Sequence, residues 1–273
     1  MTIAERNRLR LGSIIIMFLI FSFAFVASLA VFLMGNFETR TSETANVLLK
    51  FAITAYSQRA VCLSILIFPF FSLVILSYIY FSFKKTHAIE ISFFVVYLFS
   101  LGFETLRLVF PIYPSVIVDS ESIAYISRLV YVARLSGIIS LFMSSIFAIK
   151  IITRQISYLI FFSCFIAFSL VFSMPVSNFY SDRFFFAGKA YYYPYALISM
   201  AIGFLTCLTY YFAYISKNAK EYLSASISLI FVIIGYWVLI YSESYLSLII
   251  GTFLFAIPVM VFLKSIHSYH IWQ

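Results

Sequence analysis

The chain has 273 residues, of which 64% are hydrophobic, 21% aromatic and only 10% charged. Soluble domains carry roughly 25% charged residues, so this composition excludes an ordinary soluble protein and indicates a polytopic membrane protein. The apolar runs leave no room for a soluble catalytic or DNA-binding domain of roughly 50 residues or more. The net charge of +8 is therefore assigned to lysines and arginines at the membrane edges, and no nucleic-acid partner is expected.

Eight apolar runs are long enough to cross a hydrocarbon core about 30 Å thick. Each is expected to be helical, because lipid offers no partner to backbone N–H and C=O groups. The predicted fold is all-α: one integral membrane domain over residues 1–273, a polytopic helical bundle with eight transmembrane helices. The predicted spans are 11–34, 60–83, 89–110, 122–149, 156–174, 194–215, 223–241 and 245–263.

The distribution of lysine and arginine predicts the orientation. With the N-terminus inside, ten of the 18 basic residues fall on inner segments, five on outer segments and three within the spans. Because inner loops are enriched in lysine and arginine, this excess predicts that both termini are cytoplasmic. The short loops favour a bacterial cytoplasmic (inner) membrane. The first run is longer than the 7–15-residue apolar region of a signal peptide, and we interpret it as an uncleaved anchor.

Three segments on the predicted outer side have a pattern of their own. Residues 44–58 repeat polar side chains at helical spacing, which predicts an amphipathic helix on the interface or across the mouth of the bundle. Asp119-Ser120-Glu121 predicts the N-terminal cap of the fourth helix. The Phe- and Tyr-rich stretch 184–195 is typical of an aromatic belt, with a ligand-stacking platform as the alternative.

Small residues recur along the fourth helix at three- and four-residue spacing. Such residues let helix backbones approach closely, which is how helices associate in lipid. The pattern predicts that the fourth helix lies in the middle of the bundle, with the sixth and eighth as its neighbours. The residues are Ala133, Ser136, Gly137, Ser140 and Ser144.

The hairpin from Gly102 to Ser144 carries the candidate site. Ionisable side chains in hydrocarbon are costly, so they usually face a bundle interior or a watery cavity. Arg107 and Arg128 lie near enough to the outer edge to extend toward water, whereas Arg134 lies about 18 Å below Ser122 on a rise of 1.5 Å per residue. The predicted ligand-binding residues are Glu104, Arg107, Arg128, Tyr131 and Arg134.

Three arginines and one glutamate leave about two positive charges unmatched in this hairpin, and arginine stays protonated. A phosphate or carboxylate suits the guanidinium fork. We therefore expect an outward-opening, arginine-lined cavity that binds an anionic ligand, either a lipid phosphate or a small organic anion. The structural alternative is that Glu104 pairs with Arg128 or Arg134, that Arg107 extends to the interface, and that hydroxyl groups complete the network.

The chain shows no catalytic constellation and no metal or cofactor motif. Histidine and lysine are absent from the predicted spans, which removes the metalloprotease, Ser-His and Ser-Lys chemistries. His267 and His270 are at i, i+3 but have no third ligand nearby, so two solvated tail histidines are expected. Three functional classes remain: an anion-binding sensor or transport component in contact with membrane lipids, a lipid-linked transferase using Glu104 as base, and an assembly subunit that pairs with a partner membrane protein. The first class, which is not enzymatic, is favoured.

Overall fold

The computed structural model describes residues 3–33, 57–83, 88–109, 120–149, 156–173 and 192–271. Within these ranges the chain forms eight α-helices and one 3-10 segment, which confirms the all-α class. The elements are α1 (Ile3–Leu33), α2 (Gln58–Ser82), α3 (Ile89–Leu101), the 3-10 segment (Gly102–Leu108), α4 (Ser120–Ala148), α5 (Ile156–Phe172), α6 (Tyr192–Lys217), α7 (Lys220–Ile240) and α8 (Tyr245–Ile271).

Seven helical stretches among the described residues are long and apolar enough to cross a membrane, α3 being counted together with its 3-10 segment. The remaining helix, α5, has 17 residues and falls short of that length. A multi-pass helical membrane protein is therefore confirmed, whereas the count of eight crossings stays a prediction.

The first and last helices differ most from the predicted spans. Helix α1 begins at Ile3 instead of residue 11, and α8 continues to Ile271 instead of ending at 263. Hydropathy marks the part of a helix that suits hydrocarbon, and it does not mark where the hydrogen-bonded helix ends. At α8 the extra two turns are held by contacts of His267 with Ser82 and of His270 with Glu90.

Contacts between helix ends define two ends of the bundle, which we name the Glu90 end and the Glu104 end. At the Glu90 end, the Arg10 guanidinium donates to the carbonyl of Phe83, and His270 contacts Glu90. At the opposite end, the Ser57 N–H donates to the carbonyl of Glu243. The start of α1 and the end of α8 therefore both lie at the Glu90 end.

Helix α5 runs antiparallel to α4 along the bundle. Leu159, near its start, packs with Phe147 close to the end of α4, whereas Val171, near its end, packs with Leu135 in the middle of α4. Helix α6 then runs parallel to α4, since Tyr195 contacts Tyr131 and Tyr210 contacts Ser144. The chain thus passes from the Glu90 end toward the Glu104 end along α5.

Helix α4 has the most extensively buried span, and it packs against α3, α5 and α6. A Cβ at Gly137 would lie 2.1 Å from the Ser100 Oγ of α3, which explains the close approach of these two helices. The sixth helix is confirmed as a neighbour of the fourth. The expected contact with the eighth is wrong, because α8 packs mainly on α7, where a Cβ at Gly235 would lie 2.6 Å from the backbone of Leu254.

Several patterned outer segments fall outside the described residues. They include nearly all of the predicted amphipathic helix 44–58, the cap residue Asp119, and residues 184–191 of the aromatic stretch. The last residue of that stretch, Tyr195, is 2% exposed and packs against Tyr131 and Trp237. Tyr195 therefore belongs to the bundle interior, not to an interface belt.

Candidate functional site

Glu104, Arg107 and Arg134 form a buried ionic cluster near one end of the bundle, and we name it the Glu104 cluster. Arg134 donates from Nε to Glu104 Oε1 at 2.5 Å and from Nη2 to Oε2 at 2.7 Å. Arg107 donates from Nη1 to the same Oε2 at 3.2 Å. Each of the three residues is at most 2% exposed. One carboxylate therefore accepts hydrogen bonds from two guanidinium groups out of contact with solvent.

The 3-10 segment aligns the two members of the cluster that lie on it. A 3-10 helix has three residues per turn, so side chains at i and i+3 eclipse one another. Glu104 and Arg107 have this spacing and lie within Gly102–Leu108, so both project in the same direction. In a continuous α-helix their directions would differ by about 60°. The change of helix type therefore brings the Arg107 guanidinium onto the Glu104 carboxylate.

Arg107 also contacts the end of α7. Its Nη2 donates to the carbonyl of Ile240 at 3.4 Å, and Ile240 is the last residue of that helix. The carbonyl end of a helix carries a partial negative charge that favours a cation. Arg107 is 0% exposed, so the expectation that it extends to the outer interface is wrong: Glu104 and the end of α7 satisfy it inside the protein.

Aromatic side chains surround the deepest arginine. The guanidinium carbon of Arg134 lies 5.6 Å from the centroid of the Tyr131 ring, in a cation–π arrangement. Tyr195 packs on Tyr131 with ring centroids 5.0 Å apart, and Tyr195 and Tyr236 are both close enough to act electrostatically on Arg134. Tyr131, one of the predicted site residues, thus contacts Arg134 through its ring.

Arg128 does not join the Glu104 cluster. Its guanidinium carbon lies 5.2 Å from the ring centroid of Phe172 on α5 and 5.9 Å from that of Tyr125. Arg128 and Arg134 are six residues apart on α4, which separates them by about 120° around the helix. The structure therefore brings together four of the five predicted site residues and places the fifth on the α5 side of α4.

The cluster carries a formal charge of +1, because two arginines share one carboxylate. Burying a charge in a medium of low dielectric constant is costly even when it is paired. The α7 terminus and the tyrosine rings offset part of that cost. The expected outward-opening cavity lined by these arginines is wrong for the described residues, because Glu104, Arg107 and Arg134 are each at most 2% exposed. A ligand must displace side chains to reach the guanidinium groups.

A second polar cluster lies at the Glu90 end, and it was missed in the sequence. Glu90 is 4% exposed; its carboxylate contacts His270 Nε2 at 3.2 Å and accepts a hydrogen bond from the Tyr222 hydroxyl at 3.4 Å. Lys217 lies over the Tyr222 ring, 4.9 Å from its centroid. We name Glu90, His270, Tyr222 and Lys217 the Glu90 cluster. Its signal in the sequence was that Glu90, Lys217 and Tyr222 lie at predicted inner edges of spans, with His270 beyond the inner end of the last span.

The prediction that His267 and His270 are solvated tail residues is wrong. His267 contacts the Ser82 carbonyl at 3.1 Å and packs edge-on against Phe83, while His270 contacts Glu90. Both are only partly exposed. Among the described residues, no group of three His, Cys, Asp or Glu side chains is placed to hold a metal ion.

These observations define the protein as a helical, multi-pass membrane protein with a buried ionic cluster near one end and a partly buried polar cluster near the other. It is 26% identical, over 251 aligned positions, to a protein of Treponema pallidum (strain Nichols) that is described only as an uncharacterized protein. The alignment covers 73% of this chain and 72% of the Treponema protein. No family model and no solved structure matches the chain.

Proposed function

We propose that this protein binds an anionic group, from a lipid phosphate or a small organic anion, at the Glu104 cluster, as a sensor or transport component of a bacterial cytoplasmic (inner) membrane. The observation that carries the proposal is two guanidinium groups sharing one carboxylate where solvent does not reach. Such ionisable residues within membrane spans mark functional sites by default.

Glu104 acts in this proposal as an internal counter-ion. Its two oxygens occupy the donors of Arg134 in the side-on geometry that a phosphate or carboxylate ligand also uses. An incoming anion therefore exchanges with Glu104 on Arg134, while Arg107 keeps the displaced carboxylate paired. The negative charge of the ligand balances the +1 charge of the cluster, so the exchange need not leave an isolated charge in the bundle.

The topology supports a cluster that faces the outer side. The chain runs toward the Glu104 end along α5, and the start of α1 and the end of α8 meet at the Glu90 end. This path is the one expected for eight crossings with both termini on one side. The excess of lysine and arginine then assigns the Glu90 end to the cytoplasm. The bacterial origin of the similar Treponema protein supports an inner-membrane location.

The first experiment is native mass spectrometry of the full chain released gently from the membrane. We expect the wild type to carry an anionic mass, and the value of that mass distinguishes a lipid from a small solute. Arg134→Met should lose it, while still leaving Glu104 paired with Arg107. Arg128→Met is the matched control, because it removes the same charge from the same helix outside the cluster. A wild type without an adduct, or equal loss in both variants, would overturn the proposal.

The second experiment measures exchange with Glu104 directly. If Glu104 competes with the ligand, Glu104→Gln should bind inorganic phosphate or the recovered anion about tenfold more tightly, since hydrogen bonds to charged groups contribute about 1.5–3 kcal/mol. Thermal stability in phosphate is compared with stability in chloride at equal ionic strength. Glu90→Gln, the matched buried glutamate, should show no such gain. Weaker binding by Glu104→Gln would contradict the counter-ion role.

Two other functions are separated by the same variants. In a lipid-linked transferase, Glu104 would be the general base and Glu104→Gln would lose turnover. That role needs a carboxylate free to accept a proton, whereas both Glu104 oxygens accept hydrogen bonds from arginines. In an assembly subunit, the charged hairpin would pair with a partner membrane subunit, and Arg134→Met would release that partner without changing any anionic adduct.

A further inference from the structure

A second candidate binding region lies on the opposite half of the bundle, along the outer faces of α6, α7 and α8. Two grooves flank α7. The groove between α6 and α7 has a volume of about 790 Å³, and the groove between α7 and α8 has one of about 360 Å³. Leu223 and Ile227 border both grooves, so α7 forms a ridge between them.

The lengths of the grooves match lipid chains. The α7–α8 groove extends from Lys220 to Phe231 along α7, which is about 16 Å at 1.5 Å per residue. The α6–α7 groove extends from Leu223 to Val238, about 22 Å on the same scale. One leaflet of the hydrocarbon core is about 15 Å thick. Each groove is therefore at least as long as the chain region of one leaflet.

Positive charge marks where the α7–α8 groove reaches the Glu90 end. Lys220 is exposed and lines this groove at the first turn of α7. Lys264 is also exposed and follows Ile257 and Val261 at helical spacing on the same face of α8. The Ser265–Ser224 hydrogen bond sets Lys264 about 7.5 Å, between one and two turns, from the level of Lys220. Neither lysine makes an ion pair with any other described residue.

The other charged side chains near this end of the groove, Lys217 and Glu221, point away from it. Lys217 lies over the rings of Tyr222 and Tyr269, toward the Glu90 cluster. Glu221 follows Lys220 directly in α7, and adjacent helical residues point about 100° apart. The end of the α7–α8 groove is therefore positive.

We propose that this region binds one two-chain phospholipid with an anionic headgroup. Its phosphate contacts Lys220 and Lys264 at the Glu90 end, and its two acyl chains straddle α7, one in each groove. Lysine side chains extend along apolar surface to reach headgroups, and each lysine near an anionic surface contributes about 1 kcal/mol to binding. The site differs from the Glu104 cluster in its residues, its chain contacts and its end of the bundle.

The test is titration of the full chain in detergent with dioleoyl phosphatidylglycerol and dioleoyl phosphatidylcholine, followed by native mass spectrometry. These lipids have the same chains and differ in headgroup charge. We expect tighter binding of phosphatidylglycerol in the wild type. Lys220→Gln and Lys264→Gln should each weaken it about fivefold, the factor that corresponds to about 1 kcal/mol, and the double variant should bind both lipids equally.

Arg8→Gln is the matched control, because Arg8 is an exposed cation on α1, away from both grooves. It should leave the preference for phosphatidylglycerol unchanged. Ile227→Trp places a bulky side chain on the ridge between the two grooves, where it obstructs both. Because Ile227 is 49% exposed, the fold should tolerate the change. Binding of both lipids should fall. Equal binding of the two lipids by wild type, or an equal effect of Arg8→Gln, would overturn the proposal. So would a dimer that Ile227→Trp dissociates, since a second copy of the chain would then cover the grooves.

Discussion

Glu104 and Arg134 are 30 positions apart in the chain, yet both oxygens of the glutamate accept hydrogen bonds from the one guanidinium group, at 2.5 and 2.7 Å. The pair joins the 3-10 segment at the end of α3 to the middle of α4. Arg107 adds a third contact and continues to the last carbonyl of α7. Three elements of the bundle are thus tied together by one carboxylate, and the stability of the cluster follows from how its charges balance.

That balance predicts that Glu104→Gln and Arg134→Met lower the stability of the protein by different amounts. Glu104→Gln leaves two buried guanidinium groups without a carboxylate, and it should lower the free energy of unfolding by about 3–5 kcal/mol, as expected for breaking a buried ion pair. Arg134→Met leaves the neutral pair of Glu104 and Arg107, so its cost should be smaller, about 1–3 kcal/mol. Thermal unfolding in detergent, followed by circular dichroism, compares them. An Arg134→Met protein less stable than Glu104→Gln would contradict the charge argument.

The contact between α3 and α4 predicts a second result. Gly137→Ala places a methyl group 2.1 Å from the Ser100 Oγ, and it should destabilise the bundle by about 1–3 kcal/mol, as overpacked cores do. Adding Ser100→Gly removes the opposing side chain and should restore most of the loss. Gly12→Ala is the control, since a Cβ there meets nothing within 4 Å. A double variant no more stable than Gly137→Ala would show that the two residues do not meet.

The α7–α8 contact should tolerate substitution less well than the α6–α7 contact. A Cβ at Gly235 would lie 2.6 Å from the backbone of Leu254 and Phe255, so the helices must move apart. A Cβ at Gly203 would meet only the side-chain end of Ile233, at 3.1 Å. We therefore expect Gly235→Ala to reduce the yield of folded, monodisperse protein strongly, and Gly203→Ala to change it little. Size-exclusion chromatography of both variants measures the difference, and equal yields would argue against the backbone contact.

The Glu90 cluster should hold the last turns of α8. His270→Ala removes the contact with the Glu90 carboxylate but leaves that of His267 with Ser82. We expect faster amide hydrogen exchange from about residue 266 to 271, with exchange in α3 and α4 near the Glu104 cluster unchanged. Tyr158→Ala, an exposed aromatic on α5, is a control that should leave α8 unaffected. If amide exchange at the end of α8 is unchanged in His270→Ala, the Glu90 cluster does not hold the last turns of α8.

The predicted orientation is open to chemical labelling. In a background without the three native cysteines, Ser57→Cys lies at the Glu104 end and Asn218→Cys, in the turn between α6 and α7, lies at the Glu90 end. An impermeant maleimide added to intact cells should label only Ser57→Cys, because the charge distribution predicts that the Glu90 end is cytoplasmic. Labelling of Asn218→Cys alone would invert the topology, and with it the outward direction proposed for the Glu104 cluster.

The candidate site was only partly readable from the sequence. Glu104, Arg107 and Arg134 stand out because full charges are rare in apolar runs, and pairing of Glu104 with Arg134 was one form of the structural alternative. Arg128 was grouped with them, although 3.6 residues per turn separates it from Arg134 by about 120° around α4. The contact of Arg107 with Ile240 was not predictable, because it joins residues 133 positions apart through helix packing that no local pattern encodes.

Composition and hydropathy by themselves determined that this is an all-helical membrane protein and approximately where its helices lie, because lipid imposes one solution on every apolar run. They did not determine which charges neutralise one another, nor that His270 belongs to a polar cluster with Glu90. Those facts depend on which helix faces approach one another, and in lipid that choice is made by close packing of small residues and by buried hydrogen bonds. Only the tertiary structure therefore showed that two guanidinium groups share one carboxylate inside the bundle.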